Sequence, residues 1–129
     1  MTTGSGSAVD DEWGDVPVDG PETLAEQRLL ASFGQRARAA NLLRVVRLSE
    51  LLDSADAGAL DEEGRREGEN LAHQVVGSAG TFGQPGASRE AVSVERYFAE
   101  TGAAGCRSRT GDAARVRRVV DRLRLEFGG

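Results

Sequence analysis

Apolar residues recur every three or four positions along most of this 129-residue chain, the period of a helix with one buried face. The pattern begins after residue 20. Pro21 suits a first helical position because its missing N–H is not needed there, and Leu24, Leu29, Leu30 and Phe33 give that segment a short apolar face. A second segment, roughly 36–53, carries Leu42, Val45, Val46, Leu48 and Leu52. Asp56 to Ala59 reads as a turn around Gly58, and a third segment, about 60–82, holds Leu60, Leu71, Val75 and Phe82. Gly83 to Gly86, with Pro85 among them, punctuates the chain. The fourth segment, about 87–100, repeats Ala87, Ala91, Val94 and Phe98. Thr101 to Gly111 reads as a glycine-rich loop, longer than a usual helix connection. Asp112 is placed to cap a fifth segment, whose Val116, Val119, Val120, Leu123 and Phe127 share one side. No strand-like alternation and no internal repeat interrupts this series. The pattern predicts an all-α protein, an antiparallel bundle of amphipathic helices over residues 21–129.

Residues 1–20 differ in composition. They are rich in Gly, Ser, Asp and Glu and hold too little apolar surface to order themselves, which predicts a disordered acidic tail. Trp13 and Val16 are either stray apolar residues in that tail or a short docking element. The formal net charge is -5, which argues against nucleic acid as a partner, since phosphate binding needs a basic surface. All 16 basic residues are arginine, and lysine is absent. Five of these arginines, Arg115, Arg117, Arg118, Arg122 and Arg124, lie in the last segment opposite its apolar side, where they read as a solvated face. The single cysteine, Cys106, excludes an intrachain disulfide and fits a reducing cytoplasm. It reads as a plain loop thiol, although Arg107 and Arg109 beside it would favour a thiolate. No apolar run approaches the roughly 20 residues that span a bilayer, and the acidic N-terminus has no apolar segment of the secretory kind. A cytoplasmic monomer without membrane contact is expected.

The third segment carries the candidate chemistry. On a wheel at 100° per residue, Leu60, Gly64, Gly68, Leu71, Val75, Ser78 and Phe82 fall within roughly 80° of one another and are expected to face the core. His73, the only histidine in the chain, falls on the opposite side, with Arg66, Glu69, Val76, Gly77 and Gly80 around it. A glycine inside a helix costs on the order of 1 kcal/mol relative to alanine. Gly77 and Gly80 accept that cost one and two turns after His73, and they remove side chains that would crowd the ring. Val76 reads as an exposed apolar residue of a docking surface. Imidazole titrates near neutral pH, so its nucleophilic neutral form is available there. Gly64 and Gly68 predict an irregular first half, Asp61 to Asn70.

The stretch Leu71-Ala72-His73-Gln74-Val75-Val76-Gly77-Ser78-Ala79-Gly80-Thr81-Phe82-Gly83 resembles the phosphoacceptor helix of histidine-containing phosphotransfer (HPt) domains, which carry an A-H-x-L-x-G-S-A-G-x-x-G pattern. The match is dense and ungapped here, weaker through the fourth segment, and elsewhere limited to pattern and length. The resemblance implies an antiparallel up-down four-helix bundle with a short extra helix at its N-terminus, with His73 as the phosphorylated residue and Gly77 letting a receiver domain's aspartate pocket reach it. It also implies that Glu95, 22 residues later, hydrogen-bonds the imidazole and fixes its tautomer. Relatives often keep a lysine three residues after the histidine, where this chain has Val76, and a basic residue one position after it, where this chain has Gln74. Arg66, two turns earlier on the same face, is the nearest replacement cation on that helix.

The expected function is therefore that of a phosphorelay intermediate. His73 takes a phosphoryl group from a histidine kinase or a response-regulator receiver domain and passes it to or from a receiver aspartate. Gln74, Val76 and Glu69 line the expected docking surface. No enzyme activity of its own, no cofactor and no metal site is expected: the chain has no G-x-x-x-x-G-K-[ST] loop and no carboxylate cluster beside His73. The competing expectation is a non-catalytic docking module that binds a receiver or kinase without being phosphorylated.

Overall fold

A computed structural model of the chain describes residues 23–100 and 110–129. Four helices account for almost all of them: α1 (Leu24–Asp56), α2 (Glu62–Thr81), α3 (Pro85–Ala99) and α4 (Thr110–Gly128). There is no strand among the described residues. The protein is an all-α four-helix bundle. Among the described residues no helix is long and apolar enough to cross a membrane. The tail with Trp13 and Val16, the Pro21 helix start and the loop with Cys106 lie outside the described residues.

The chain divides into two compact units, Met1–Phe33 and Gly34–Gly129. The division falls inside α1. The segments 24–33 and 36–53, which the sequence pattern separates and the HPt likeness makes an extra helix and a first bundle helix, are one continuous helix of 33 residues. Gly34 between them does not break it, because glycine keeps helical geometry open while merely weakening it. Within the first unit, Thr23 opens α1 with a reciprocal cap: its hydroxyl accepts from the Glu26 N–H at 3.0 Å, and the Glu26 carboxylate accepts from the Thr23 N–H at 3.3 Å. Leu24, Leu29 and Leu30 there are exposed.

Within the second unit, α1 buries Val45, Leu48, Leu51, Leu52 and Ala55. Gly58, in the left-handed region at φ 73°, ends that helix and turns the chain. The Asp61 carboxylate accepts from the Gly64 N–H at 2.7 Å and caps α2. After the Asp61 cap, Glu62 to Asn70 is regular helix, not the irregular stretch its glycines suggest. Gly68 has a packing reason: a Cβ there would lie 2.8 Å from the ring of Phe98, so only glycine lets α3 come this close. Gly83, at φ 82°, ends α2, and Pro85 opens α3 at its first turn. Asp112, expected as the cap of the last helix, lies in the first turn of α4 instead, since that helix begins at Thr110.

α1 and α2, and α2 and α3, pair residues in opposite order along the chain. Asn41 and Arg47 of α1 meet Ser78 and Glu67 of α2. Arg65 and Val76 of α2 meet Phe98 and Ser88 of α3. Arg122 of α4 meets Glu90 of α3, and Arg117 meets Asp53 and Asp56 of α1. The core holds the expected α3 and α4 residues, among them Val94, Phe98, Val120 and Leu123.

The buried face of α2 is not the expected one. Ala72, Val75 and Ala79 are fully buried, whereas Phe82 is 43% exposed and Leu71 only partly covered. At 100° per residue the true face is rotated by about 50° from the sector defined by the large apolar residues. Small alanines, which carry little apolar signal, lie at its centre.

Between α1 and α2, Arg47 grips Glu67 through two nitrogens, at 2.7 and 2.9 Å. These hydrogen bonds hold the Glu67 carboxyl below its usual range. A carboxyl depressed by folding contributes stability above its unfolded pKa, and the contribution is lost as pH falls through the folded value. Both side chains are more than a third exposed, so solvent keeps the contribution small. Glu67→Gln is expected to cost about 0.5–1 kcal/mol near neutral pH. The gap to the parent protein closes below about pH 4, where the unfolded carboxyl also protonates. Thermal melts across that pH range measure it.

Candidate functional site

Rotation of the buried face places His73 on the shoulder of α2 that adjoins α3, not diametrically opposite the core. From there it meets Glu95 of α3: Nδ1 lies 2.9 Å from Oε2. A carboxylate only accepts, so Nδ1 is the protonated nitrogen and Nε2 carries the lone pair of the neutral ring. The imidazole is 73% exposed and the Glu95 side chain 27%. The carboxylate is thus held against the protein while the ring reaches solvent. No other hydrogen bond to His73 is found among the described residues, which leaves Nε2 unengaged.

The residues after His73 each face a different way. A Cβ on Gly77 would meet nothing within 4 Å, so the space one turn beyond the ring is open. Ser78 turns toward α1, where its hydroxyl accepts from the Asn41 amide at 3.2 Å. Ala79 is fully buried. Gly80 is exposed as a residue, but its missing Cβ faces α3: that atom would lie 3.3 Å from the Ser88 hydroxyl. Gly80 therefore serves the approach of α3 and does not widen the opening beside the ring.

The expected docking residues differ among themselves. Gln74 is exposed beside His73. Val76 is partly buried and packs against the core, a correction that follows from the same rotation of α2. Its apolar side chain is not a free docking element. Glu69 is bound to Arg65 at 3.2 Å, and Arg65 also donates to the Phe98 carbonyl at 2.5 Å. Arg66 is 72% exposed and leans toward Glu62, at 3.4 Å, one turn further from the ring. Its guanidinium is paired there and not at His73. No cluster of metal-ligating side chains is found among the described residues.

Two polar residues of the site escaped the sequence reading. Asn41 sits on the buried stripe of α1 one turn before Val45 and is 1% exposed. Its amide donates to Ser78, and its oxygen accepts from Arg44 at 2.7 Å. A polar residue on an otherwise apolar stripe was the available signal. Ser88 donates to the Val76 carbonyl at 2.7 Å. Its spacing of two turns from Glu95 was the corresponding signal on α3.

The fold and site together define a four-helix bundle that presents one histidine, oriented by a carboxylate and open on one side. No protein-family model matches the chain, and no curated protein and no solved structure is significantly similar to it.

Proposed function

We propose that this protein is a phosphorelay intermediate of the HPt kind, with His73 as phosphoacceptor. The observation that carries the reading is the 2.9 Å contact of Nδ1 with Glu95 on a ring whose other nitrogen is unengaged. In the step proposed, the Nε2 lone pair attacks the phosphorus of a receiver's aspartyl phosphate. The N–P bond forms as the P–O bond to the aspartate breaks, and the carboxylate leaves with that electron pair. The ring becomes cationic and keeps its proton on Nδ1, where the Glu95 carboxylate stabilises the charge. The reverse step returns the group to an aspartate. The helix contributes a positioned nucleophile, and the receiver contributes the groups that neutralise the phosphoryl oxygens. The partners proposed are receiver domains and, upstream, a histidine kinase.

Incubation with a phosphorylated receiver tests this. The expected product is an acid-labile, alkali-stable label that His73→Gln removes while circular dichroism stays unchanged. A label that survives His73→Gln excludes His73 as the acceptor. Receiver binding without any label establishes the docking module instead.

A further inference from the structure

We infer that Ser88 is a positioning residue for His73: its bond to α2 sets the axial register that brings the Glu95 carboxylate to Nδ1. The role in transfer rests on the phosphoacceptor reading, but the register itself does not.

No other hydrogen bond to the Glu95 carboxylate is found among the described residues, so its place is decided by where α3 carries it. A shift of α3 by one residue along its axis moves that residue by about 1.5 Å and turns it by about 100°, enough to break a 2.9 Å contact. Near the α2–α3 turn, one polar contact resists such a shift. The Ser88 hydroxyl donates to the Val76 carbonyl at 2.7 Å. A helical carbonyl has a spare lone pair for this bond. Ser88 reaches it because Gly80 has no Cβ, which would sit 3.3 Å from the hydroxyl.

The spacing links this contact to the site. Ser88 lies seven residues before Glu95, two turns, so both occupy the side of α3 that faces α2. Gly80 and Ser88 lie four residues either side of Gln84, and His73 and Glu95 lie eleven either side of it. One antiparallel register therefore satisfies both pairs, and the serine contact stands where the register is set. Ala91 and Val94 face the core with no directional bond; Phe98, packed on Gly68 with its carbonyl bound by Arg65, holds the end of α3 far from the turn, and Ser88 holds the end nearest it. Val76 lies three residues after His73 on the same helix, so the anchored carbonyl and the ring move together.

The test reads the tautomer of the unphosphorylated ring by nitrogen NMR, with Glu95→Ala as the reference for complete loss of the Nδ1 contact. In Ser88→Ala the ratio of Nδ1–H to Nε2–H tautomer is expected to fall by about threefold or more, at the lower end of what one net hydrogen bond sustains. Ser88→Thr, which keeps the hydroxyl, restores the ratio. Gly80→Ala, which crowds that hydroxyl, lowers it without touching Ser88, and serves where Ser88→Ala does not fold. A parental tautomer ratio in folded Ser88→Ala or Gly80→Ala overturns the inference. Because no phosphoryl group is involved, failure here is separate from failure of the phosphoacceptor reading, which is decided by label on the parent protein.

Discussion

Gly77→Leu is expected to give a more stable protein that has lost the phosphotransfer proposed for it. Leucine is better than glycine in a helix by nearly 1 kcal/mol, and nothing lies within 4 Å of the position where its Cβ would stand. The melting temperature therefore rises by a few degrees. The same substitution covers the ring. Helical side chains lean toward the N-terminus and lie over the preceding turn, so a leucine at 77 is laid over His73. A misplacement of the reacting groups by about 1 Å costs on the order of a hundredfold in rate, and a leucine in the approach path excludes a partner by more than that. Transfer from a phosphorylated receiver should fall by at least that factor while the Nδ1 contact with Glu95 stays intact. Parental transfer rates in Gly77→Leu place the route of approach elsewhere.

Gly68→Ala is expected to act in the opposite direction, nine residues earlier on the same helix. Its added Cβ would lie 2.8 Å from two atoms of the Phe98 ring. That ring is fully buried and stands edge-on to Tyr97, with centroids 5.3 Å apart and planes at 81°. It has no soft direction in which to yield, because interiors are packed at crystal density. Overpacking of this kind costs about 1–3 kcal/mol, of which the better helix propensity of alanine returns up to about 1 kcal/mol. Denaturant unfolding measures the balance, which is expected to be a net loss. If Gly68→Ala is as stable as the parent, Phe98 does not pack against this glycine.

These two glycines show where sequence reasoning succeeds and where it stops. The helices of the bundle follow from apolar spacing alone: Ala87, Ala91, Val94 and Phe98 in α3, and Val116, Val119, Val120, Leu123 and Phe127 in α4, are all buried. Spacing fails on α2 because its buried face is centred on Ala72, Val75 and Ala79, and alanine is a weak apolar marker. A wheel weighted by Leu60, Leu71 and Phe82 is then turned too far. It exposes Val76, buries Phe82 and sets His73 opposite the core. Wheels also treat a helix as isolated, so they cannot tell a glycine that admits Phe98 from one that leaves a ring open. That Glu95 lies beside His73 is invisible to periodicity and was suggested only by likeness to HPt domains. The continuity of α1 through Gly34 was lost for a related reason: a gap in the apolar stripe looks like a break, although exposed helix needs no apolar face.

Ser88 and Asn41 were missed because each acts through one directional bond to another helix, which no single-helix pattern encodes. Their bonds hold α2 between α1 and α3, and so decide which side of α2 reaches solvent. The exposure of His73 is in that sense a product of packing in the neighbouring helices, not of its own segment.

The most direct measurement is the position of the phosphoryl group on the imidazole, read by phosphorus and nitrogen NMR after transfer from a phosphorylated receiver. With Glu95 holding Nδ1 at 2.9 Å, the group is expected on Nε2 of His73 and nowhere else. A phosphoryl group on Nδ1, or none on His73 in a protein that binds the receiver, contradicts the assignment.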